Sequence, residues 1–241
     1  MSNGWEQSAQ SWIEAIGEEG DWGRMHVLDP VMLSRLEGRQ FALALDVGCG
    51  EGRFCRMLKS SNIRAIGIDP TERLIRAAKD RDPGGDYQRA SAESLPFADA
   101  SFDLVVSYLT LIDIADFRAA IREMTRVLKP GGTLLIANLT SFNTACASQG
   151  WIKDGEGNRL HYPVDRYLHE FANWVEWSGI GIENWHRPLG AYMKAFLDNG
   201  LQLAFFDEPP AGTGDPYWRE IYSRAPWFLV MEWRRPAATY S

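Results

Sequence analysis

The 241-residue chain contains few cysteines and no long apolar run. Its three cysteines, Cys49, Cys55 and Cys146, lack CxxC spacing, and an odd number makes a poor disulfide framework, so we expect reduced, structural thiols. A membrane span needs roughly 20 apolar residues, and the N-terminus has neither the basic start nor the apolar stretch of a signal peptide. We therefore expect a cytoplasmic protein without a membrane span.

Basic residues are also scarce, since 25 lysines and arginines stand against 32 aspartates and glutamates, for a net charge of -7. Proteins that bind phosphate backbones usually carry a basic face, so we expect no nucleic-acid partner. No group of histidine, cysteine and aspartate has metal-ligand spacing, so we expect no metal site. The hydrophobic content of 45% is ordinary for a globular protein with one sizeable core.

Short apolar segments alternate with helical patterns along most of the chain. Seven segments predict strands: 41–47, 63–69, 86–94, 102–109, 133–139, 201–209 and 227–235. Successive strand-then-helix units give right-handed crossovers and a parallel sheet. We predict an α/β fold with a doubly wound, mostly parallel, seven-stranded Rossmann-like sheet and an antiparallel edge strand. The last two strands, joined without a helix, are expected to form an antiparallel pair at that edge.

The predicted organisation has four parts. An N-terminal helical arm, 1–40, precedes a cofactor-binding core, 41–140; an inserted substrate or lid segment, 141–187, is followed by the C-terminal part of the core, 188–241. All ten tryptophans and all four histidines lie before Phe41 or after Ser141. We therefore expect the outer segments to determine substrate identity.

Three glycines follow the first predicted strand in the stretch LDVGCGEGRF, at positions 48, 50 and 52. Glycines between a buried strand and a helix form a turn that a ligand can approach closely, although a tight structural turn has the same pattern. The spacing differs from the dinucleotide fingerprint G-x-G-x-x-G, because position 53 is Arg. Asp69 ends the second strand about 20 residues later, where a carboxylate can bind both hydroxyls of a ribose or cap the helix that follows Pro70.

Four stretches carry a family resemblance: LDVGCGEGRF, AIGIDPT, AESLPFADASFDLVVS and REMTRVLKPGGTLLIAN. In this order and spacing they resemble the class I S-adenosylmethionine-dependent methyltransferases, in particular the small-molecule branch that includes ubiquinone and menaquinone C-methyltransferases. The resemblance covers about Phe41 to Asn138. It implies that S-adenosyl-L-methionine is the cofactor.

The resemblance also implies a set of cofactor-binding residues: Asp46, Gly48, Cys49, Gly50, Asp69, Pro70, Ser91, Ala92, Glu93, Tyr108 and Leu109. Asp46 and the glycine loop would face the methionine end, Asp69 the ribose, Ala92 and Glu93 the adenine, and Tyr108 the region of the sulfonium. Cys49 would serve as a small filler without chemistry. Many relatives carry Asp where this chain has Ser91.

The N-terminal arm often folds over the cofactor in this family. Arg24 would then pair with the methionine carboxylate, and a salt bridge in solvent is the alternative.

Methyl transfer from a sulfonium depends mainly on positioning the acceptor and excluding water, with a general base for some acceptors. The candidate bases are His161, His169 and His186, and each is alternatively a polar loop residue. The candidate substrate residues are Tyr162, Trp174, Trp177 and Trp185. They either pack the inserted segment onto the sheet or form an aromatic cage, and the spacing of Trp174 and Trp177 is that of one helix face.

The sequence thus predicts an enzyme that transfers a methyl group from S-adenosylmethionine to a small-molecule acceptor. A non-catalytic S-adenosylmethionine-binding module and a nicotinamide-dependent oxidoreductase remain alternatives. A nucleic-acid methyltransferase is disfavoured by the acidic balance.

Overall fold

The computed structural model describes residues 3–146 and 150–237, so the predicted segments 1–40, 141–187 and 188–241 each extend over a few residues outside this description. Its main sheet has seven strands: β1 Ala44–Val47, β2 Ala65–Asp69, β3 Asp86–Arg89, β4 Phe102–Tyr108, β5 Leu128–Leu139, β10 Gln202–Asp207 and β11 Phe228–Arg234. Four further strands follow β5 in the chain: β6 Ile152–Lys153, β7 Arg159–His161, β8 Phe171–Trp177 and β9 Ile180–His186.

Helices alternate with the strands of the main sheet. Their bounds are α1 Trp5–Ile16, α2 Asp29–Ser34, α3 Arg53–Ser60, α4 Glu72–Arg81, α5 Phe117–Val127, α6 Ser141–Thr144, α7 Leu189–Asp198 and α8 Pro216–Arg224. A π-helical segment, Arg24–Leu28, leads into α2. The helix expected to follow Pro70 is α4, which begins two residues later, after Thr71. Among the described residues, no helix combines the length and apolar character that a membrane crossing requires.

The main sheet has the order β10-β11-β5-β4-β1-β2-β3, which confirms the predicted α/β fold. β1 pairs in parallel with both β2 and β4, so the chain reverses its direction of travel across the sheet between β1 and β4. In open α/β sheets, ligands bind in the crevice beyond the carboxyl ends of the strands at this reversal.

The last two strands form the predicted antiparallel pair at one edge of the sheet. β11 runs antiparallel to both β10 and β5, and β10 lies outermost. The prediction of a helix-free connection is wrong, because α8 lies between the two strands. Its start carries two helix signals within a Pro/Gly-rich stretch: Pro216 is at the first position, and Asp215 accepts a hydrogen bond from the Tyr217 amide at 2.8 Å.

The predicted helix carrying Trp174 and Trp177 is also wrong, since both residues lie on β8. β8 and β9 form a hairpin in which Trp177 pairs with Ile180. Ser178 and Gly179 join them with positive φ angles of 47° and 78°, as a two-residue hairpin turn requires. In a strand, side chains three residues apart point to opposite faces, so the two tryptophans do not form one surface.

Trp233 on β11 illustrates how the core is built against the sheet. It is fully buried, and its ring stacks on Phe196 of α7 with centroids 4.7 Å apart. Phe196 is likewise fully buried. This pair joins the antiparallel edge of the sheet to the helix that precedes it.

Trp233→Ala should therefore lower the free energy of unfolding by about 3–5 kcal/mol, because it removes a large buried ring and leaves a cavity. Denaturant unfolding followed by circular dichroism measures the loss. Trp218→Ala is the matched control, since Trp218 is 43% exposed and should lose clearly less. Equal losses for the two variants would contradict this account of the core.

Candidate cofactor and acceptor site

A cavity of about 570 Å³ lies at the carboxyl ends of β1, β2 and β4. Helix α1 and strands β8 and β9 also contribute to its wall. It collects most of the site residues predicted from the sequence: Arg24, Asp46, Gly48, Cys49, Gly50, Asp69, Pro70, Ala92, Glu93, Tyr108, Leu109, Tyr162 and Trp177. Its volume is within the range of small-molecule and cofactor sites.

The glycine loop is fixed against β2. The amides of Gly48 and Cys49 both donate to the Ile68 carbonyl, at 2.8 and 2.9 Å. Gly48 has a φ of 75°, and a Cβ there would lie 2.1 Å from the Thr110 side chain. The backbone therefore turns sharply under the cavity. These two amides are used inside the fold rather than by a ligand.

Asp46 lines the cavity, and one of its carboxylate oxygens lacks a hydrogen-bond partner among the described residues. The residue is 1% exposed, its Oδ1 has no hydrogen-bond partner, and its Oδ2 accepts from Cys55 Sγ at 3.4 Å. Burial raises the pKa of Asp46 to about 7. A buried carboxylate oxygen without a partner is costly, so this position suits a cationic or hydrogen-bond-donating ligand group.

Asp69 links the glycine loop to the turn that precedes α4. Its Oδ1 accepts from the Thr71 amide at 2.8 Å, next to the start of α4, and its Oδ2 accepts from the Gly50 amide at 3.1 Å. Each carboxylate oxygen can accept a further hydrogen bond. The carboxylate therefore orders the loop and still has capacity for two ligand hydroxyls.

Arg24 reaches the same cavity from the N-terminal arm. Its guanidinium pairs with Asp21 and lies 4.9 Å from the Trp12 ring centroid. The Arg24 side chain is 12% exposed and that of Asp21 is 44% exposed, so the salt bridge that was the alternative prediction is present, with Asp21 facing solvent. A mostly buried guanidinium beside an indole ring is a suitable partner for a ligand carboxylate.

The three candidate bases do not line the cavity. His161 and His169 are exposed. His186 is fully buried, with Nδ1 bonded to Thr144 Oγ1 at 2.8 Å and Nε2 to the Tyr167 carbonyl at 2.9 Å. Burial lowers the pKa of His186. Its imidazole is therefore a neutral structural group, and the structure assigns no base role to any of the three.

Three further predicted residues also fall outside the cavity lining: Ser91, Trp174 and Trp185. Ser91 is exposed, and its hydroxyl donates to the Glu93 carboxylate. Trp174 is 56% exposed, and its indole donates to Glu176 at 2.7 Å.

Several residues that line the cavity were not predicted from the sequence: Trp5, Trp12, Thr110, Asp113, Asn143, Asn184, Tyr222 and Trp227. Most lie far from the motifs in sequence, where no local pattern marks them. Thr110 and Asp113 are exceptions, because they follow the carboxyl end of β4 by two and five residues. Position at a strand end was therefore a usable signal for both residues. Within residues 3–146 and 150–237, no group of three metal-ligating side chains comes together.

Comparison with known proteins identifies the family. A sequence family described as "Methyltransferase domain" matches residues 45–136. The demethylmenaquinone methyltransferase of Renibacterium salmoninarum is 31% identical over 212 residues, which cover 79% of this chain and 86% of the relative. A putative S-adenosylmethionine-dependent methyltransferase from Listeria monocytogenes, known from its crystal structure, superposes with a TM-score of 0.78 at 27% identity and covers 86% of this chain and 95% of that one.

Fold, motifs and relatives together define a class I methyltransferase. The chain belongs to the S-adenosylmethionine-dependent methyltransferases, whose cofactor is S-adenosylmethionine rather than a nicotinamide dinucleotide. It also resembles the malonyl-[acyl-carrier protein] O-methyltransferase of Salmonella typhimurium, at 31% identity over 147 residues. That match covers 59% of this chain and spans 58% of the relative's length.

Gly48→Ala should destabilise the protein more than Gly131→Ala. Both glycines have a positive φ, which costs an alanine about 1–2 kcal/mol, but only at Gly48 would the new Cβ meet the Thr110 side chain, which adds about 1–3 kcal/mol. At Gly131 nothing lies within 4 Å of the new atom. Denaturant unfolding of both variants tests this order, and equal losses would show that the approach of Thr110 carries no cost.

Proposed function

We propose that this protein transfers the methyl group of S-adenosylmethionine to a small-molecule acceptor. The observation that carries the proposal is one cavity in which the buried carboxylates Asp46 and Asp69 adjoin a chamber of aromatic side chains. Bound S-adenosylmethionine supplies a methyl carbon activated by a positively charged sulfur.

Different residues of the cavity would hold different parts of the cofactor. Asp69 would accept hydrogen bonds from the ribose hydroxyls. The free oxygen of Asp46 would accept from the ammonium of the methionine part, and Arg24 would pair with its carboxylate. Pro70 and Ala92 supply apolar surface for the adenine.

The acceptor would enter between aromatic rings. Tyr162, Trp177, Tyr222 and Trp227 line this part of the cavity, and the Tyr222 and Trp227 ring centroids are 5.0 Å apart. Asn143, near the start of the inserted segment, adds a side-chain amide to the lining of the cavity. Large rigid rings orient an apolar or aromatic molecule and exclude water, which is how such a site brings an acceptor into line with a methyl group.

The names of two relatives support a metabolite-type acceptor without fixing its identity. One acts on malonyl-[acyl-carrier protein] and the other on demethylmenaquinone. The aromatic lining favours an acceptor with an extended apolar or aromatic surface.

Calorimetric titration with S-adenosylmethionine and NADH, followed by incubation with methyl-labelled S-adenosylmethionine and a panel of phenols, quinols, amines and carboxylic acids, tests the proposal. We expect binding of S-adenosylmethionine alone and a labelled product by mass spectrometry. Binding without transfer to any acceptor would favour the non-catalytic module. Binding of NADH instead would favour the oxidoreductase.

Asp69→Asn should weaken S-adenosylmethionine binding by at least about tenfold, because it replaces a charged acceptor of two ribose hydroxyls with a neutral amide. Calorimetry measures the change. Asp80→Asn is the matched control, since Asp80 is exposed on the same helix that follows Asp69. An unchanged affinity in Asp69→Asn would exclude Asp69 from the ribose site.

Affinity for S-adenosylmethionine should rise with pH through the range around 7. Burial raises the pKa of Asp46 to about 7, so below this value the carboxyl is neutral and loses its attraction for the ammonium. Calorimetry at pH 6 and pH 8 measures the trend. Asp46→Asn should bind weakly at both values, and a variant with the wild-type pH dependence would exclude Asp46 as its source.

A further inference from the structure

The segment between β4 and α5 is held in place by residues at the end of the β8–β9 hairpin. The guanidinium of Arg187 is fully buried and donates to the carbonyls of Leu111, Ile114 and Ala115, at 2.9, 2.5 and 3.0 Å. The Trp185 amide donates to the Ile112 carbonyl at 2.7 Å. Arg187 also lies 4.0 Å from the Glu170 carboxylate, so its buried charge is paired while its hydrogen bonds fix the conformation of this segment.

Among the residues of this segment that line the cavity, Asp113 carries the ionisable side chain. Its carboxylate accepts a hydrogen bond from the Asn184 amide of β9, and Asn184 also lines the cavity. Trp5 of α1 lines the same cavity. The Asp113 carboxylate is therefore oriented from β9, while none of the three candidate histidines lines the cavity.

Asp113 lines the same cavity as Asp69, which is proposed for the ribose end, and Arg24, which is proposed for the methionine end. Thr110, in the same segment, donates to the Gly48 carbonyl at 3.2 Å, which places the segment beside the glycine loop. In S-adenosylmethionine the sulfur is the atom that joins the methionine part to the ribose part.

The carboxyl groups of the cavity also suit a cationic ligand. Asp46, Asp69 and Asp113 line it, and none of the three has an ion-pair partner within the described ranges. The two arginines nearby are already paired, Arg24 with Asp21 and Arg53 with Asp29. S-adenosylmethionine carries two positive groups, the ammonium and the sulfonium, whereas the demethylated product S-adenosylhomocysteine retains only the ammonium.

We propose that Asp113 is the counter-charge of the sulfonium and makes the site prefer S-adenosylmethionine to S-adenosylhomocysteine. The inference rests on the proposed function and goes beyond it by assigning product discrimination to one residue. Loss of the methyl group leaves a neutral sulfur, so the carboxylate loses its partner and the product is held less tightly. Asn184 acts as a positioning residue, because its amide orients the carboxylate.

The electrostatic surroundings agree with this role. Burial raises the pKa of Asp113 well above its usual range, and the charge of Asp69 adds to this effect, whereas Asn184, Trp5 and Arg24 oppose it. A cation beside the carboxyl favours its ionised form. Binding of the sulfonium should therefore release a proton that binding of the thioether does not.

The test is calorimetric titration of the full chain with S-adenosylmethionine and S-adenosylhomocysteine. Asp113→Asn should weaken binding of S-adenosylmethionine by about tenfold and that of S-adenosylhomocysteine by no more than about twofold, because only the former has a charge at sulfur. Asp116→Asn is the matched control: Asp116 is exposed three residues further on, caps α5, and lies outside the cavity lining. It should leave both affinities unchanged.

Equal weakening for the two ligands would reduce Asp113 to a structural role and overturn the inference, as would no change in either affinity. If the wild-type protein binds neither ligand, the proposed function itself fails. Should Asp113→Asn not fold, the wild-type protein is titrated at pH 6 in buffers of different ionisation enthalpy. More protons released by S-adenosylmethionine than by S-adenosylhomocysteine would support the inference, and equal release would overturn it.

Discussion

The hydrogen bonds that fix the glycine loop to β2 are the constraint on which the site depends. Two successive amides, those of Gly48 and Cys49, share the Ile68 carbonyl as acceptor, so the chain leaving β1 must turn at once across the end of β2. The parallel pairing of β1 and β2 places Asp46 and Asp69 at the carboxyl end of the sheet beside this turn, both almost fully buried. Buried carboxylates without cationic partners raise the free energy of the empty site, and a cationic ligand relieves that cost.

Segments far apart in the chain complete the cavity at the carboxyl ends of these strands. Helix α1 is fastened to the β8–β9 hairpin through Ser8, whose hydroxyl bonds both the amide and the carbonyl of Gly181 at 2.9 Å. It is fastened to α4 through Arg81, which donates to the Gly17 carbonyl at 2.9 Å. Helix α1 is therefore held at two sides, and its Trp5 and Trp12 line the cavity together with residues that end β1, β2 and β4.

Sequence reasoning succeeded where the pattern is local. The strands of the main sheet, the glycine turn and Asp69 follow from apolar runs, helix starts and the spacing of a few residues. It failed for Trp174 and Trp177, whose spacing fits a helix face although a Ser-Gly turn makes their segment a hairpin. It also failed for His186, because an imidazole in an irregular segment looks available until both ring nitrogens are seen to be bonded inside the fold.

The sequence by itself determined the α/β fold and the family, and it located most of the cavity residues that follow β1, β2 and β4, since these depend on short-range patterns along contiguous strands and turns. Only the tertiary structure decided which side chains complete the cavity. None of the three candidate histidines lines the cavity, whereas Trp12, Asn184 and Asp113 from three separate elements do. The physical reason is that a residue's burial, charge environment and hydrogen-bond partners depend on segments distant in the chain, which no local pattern records.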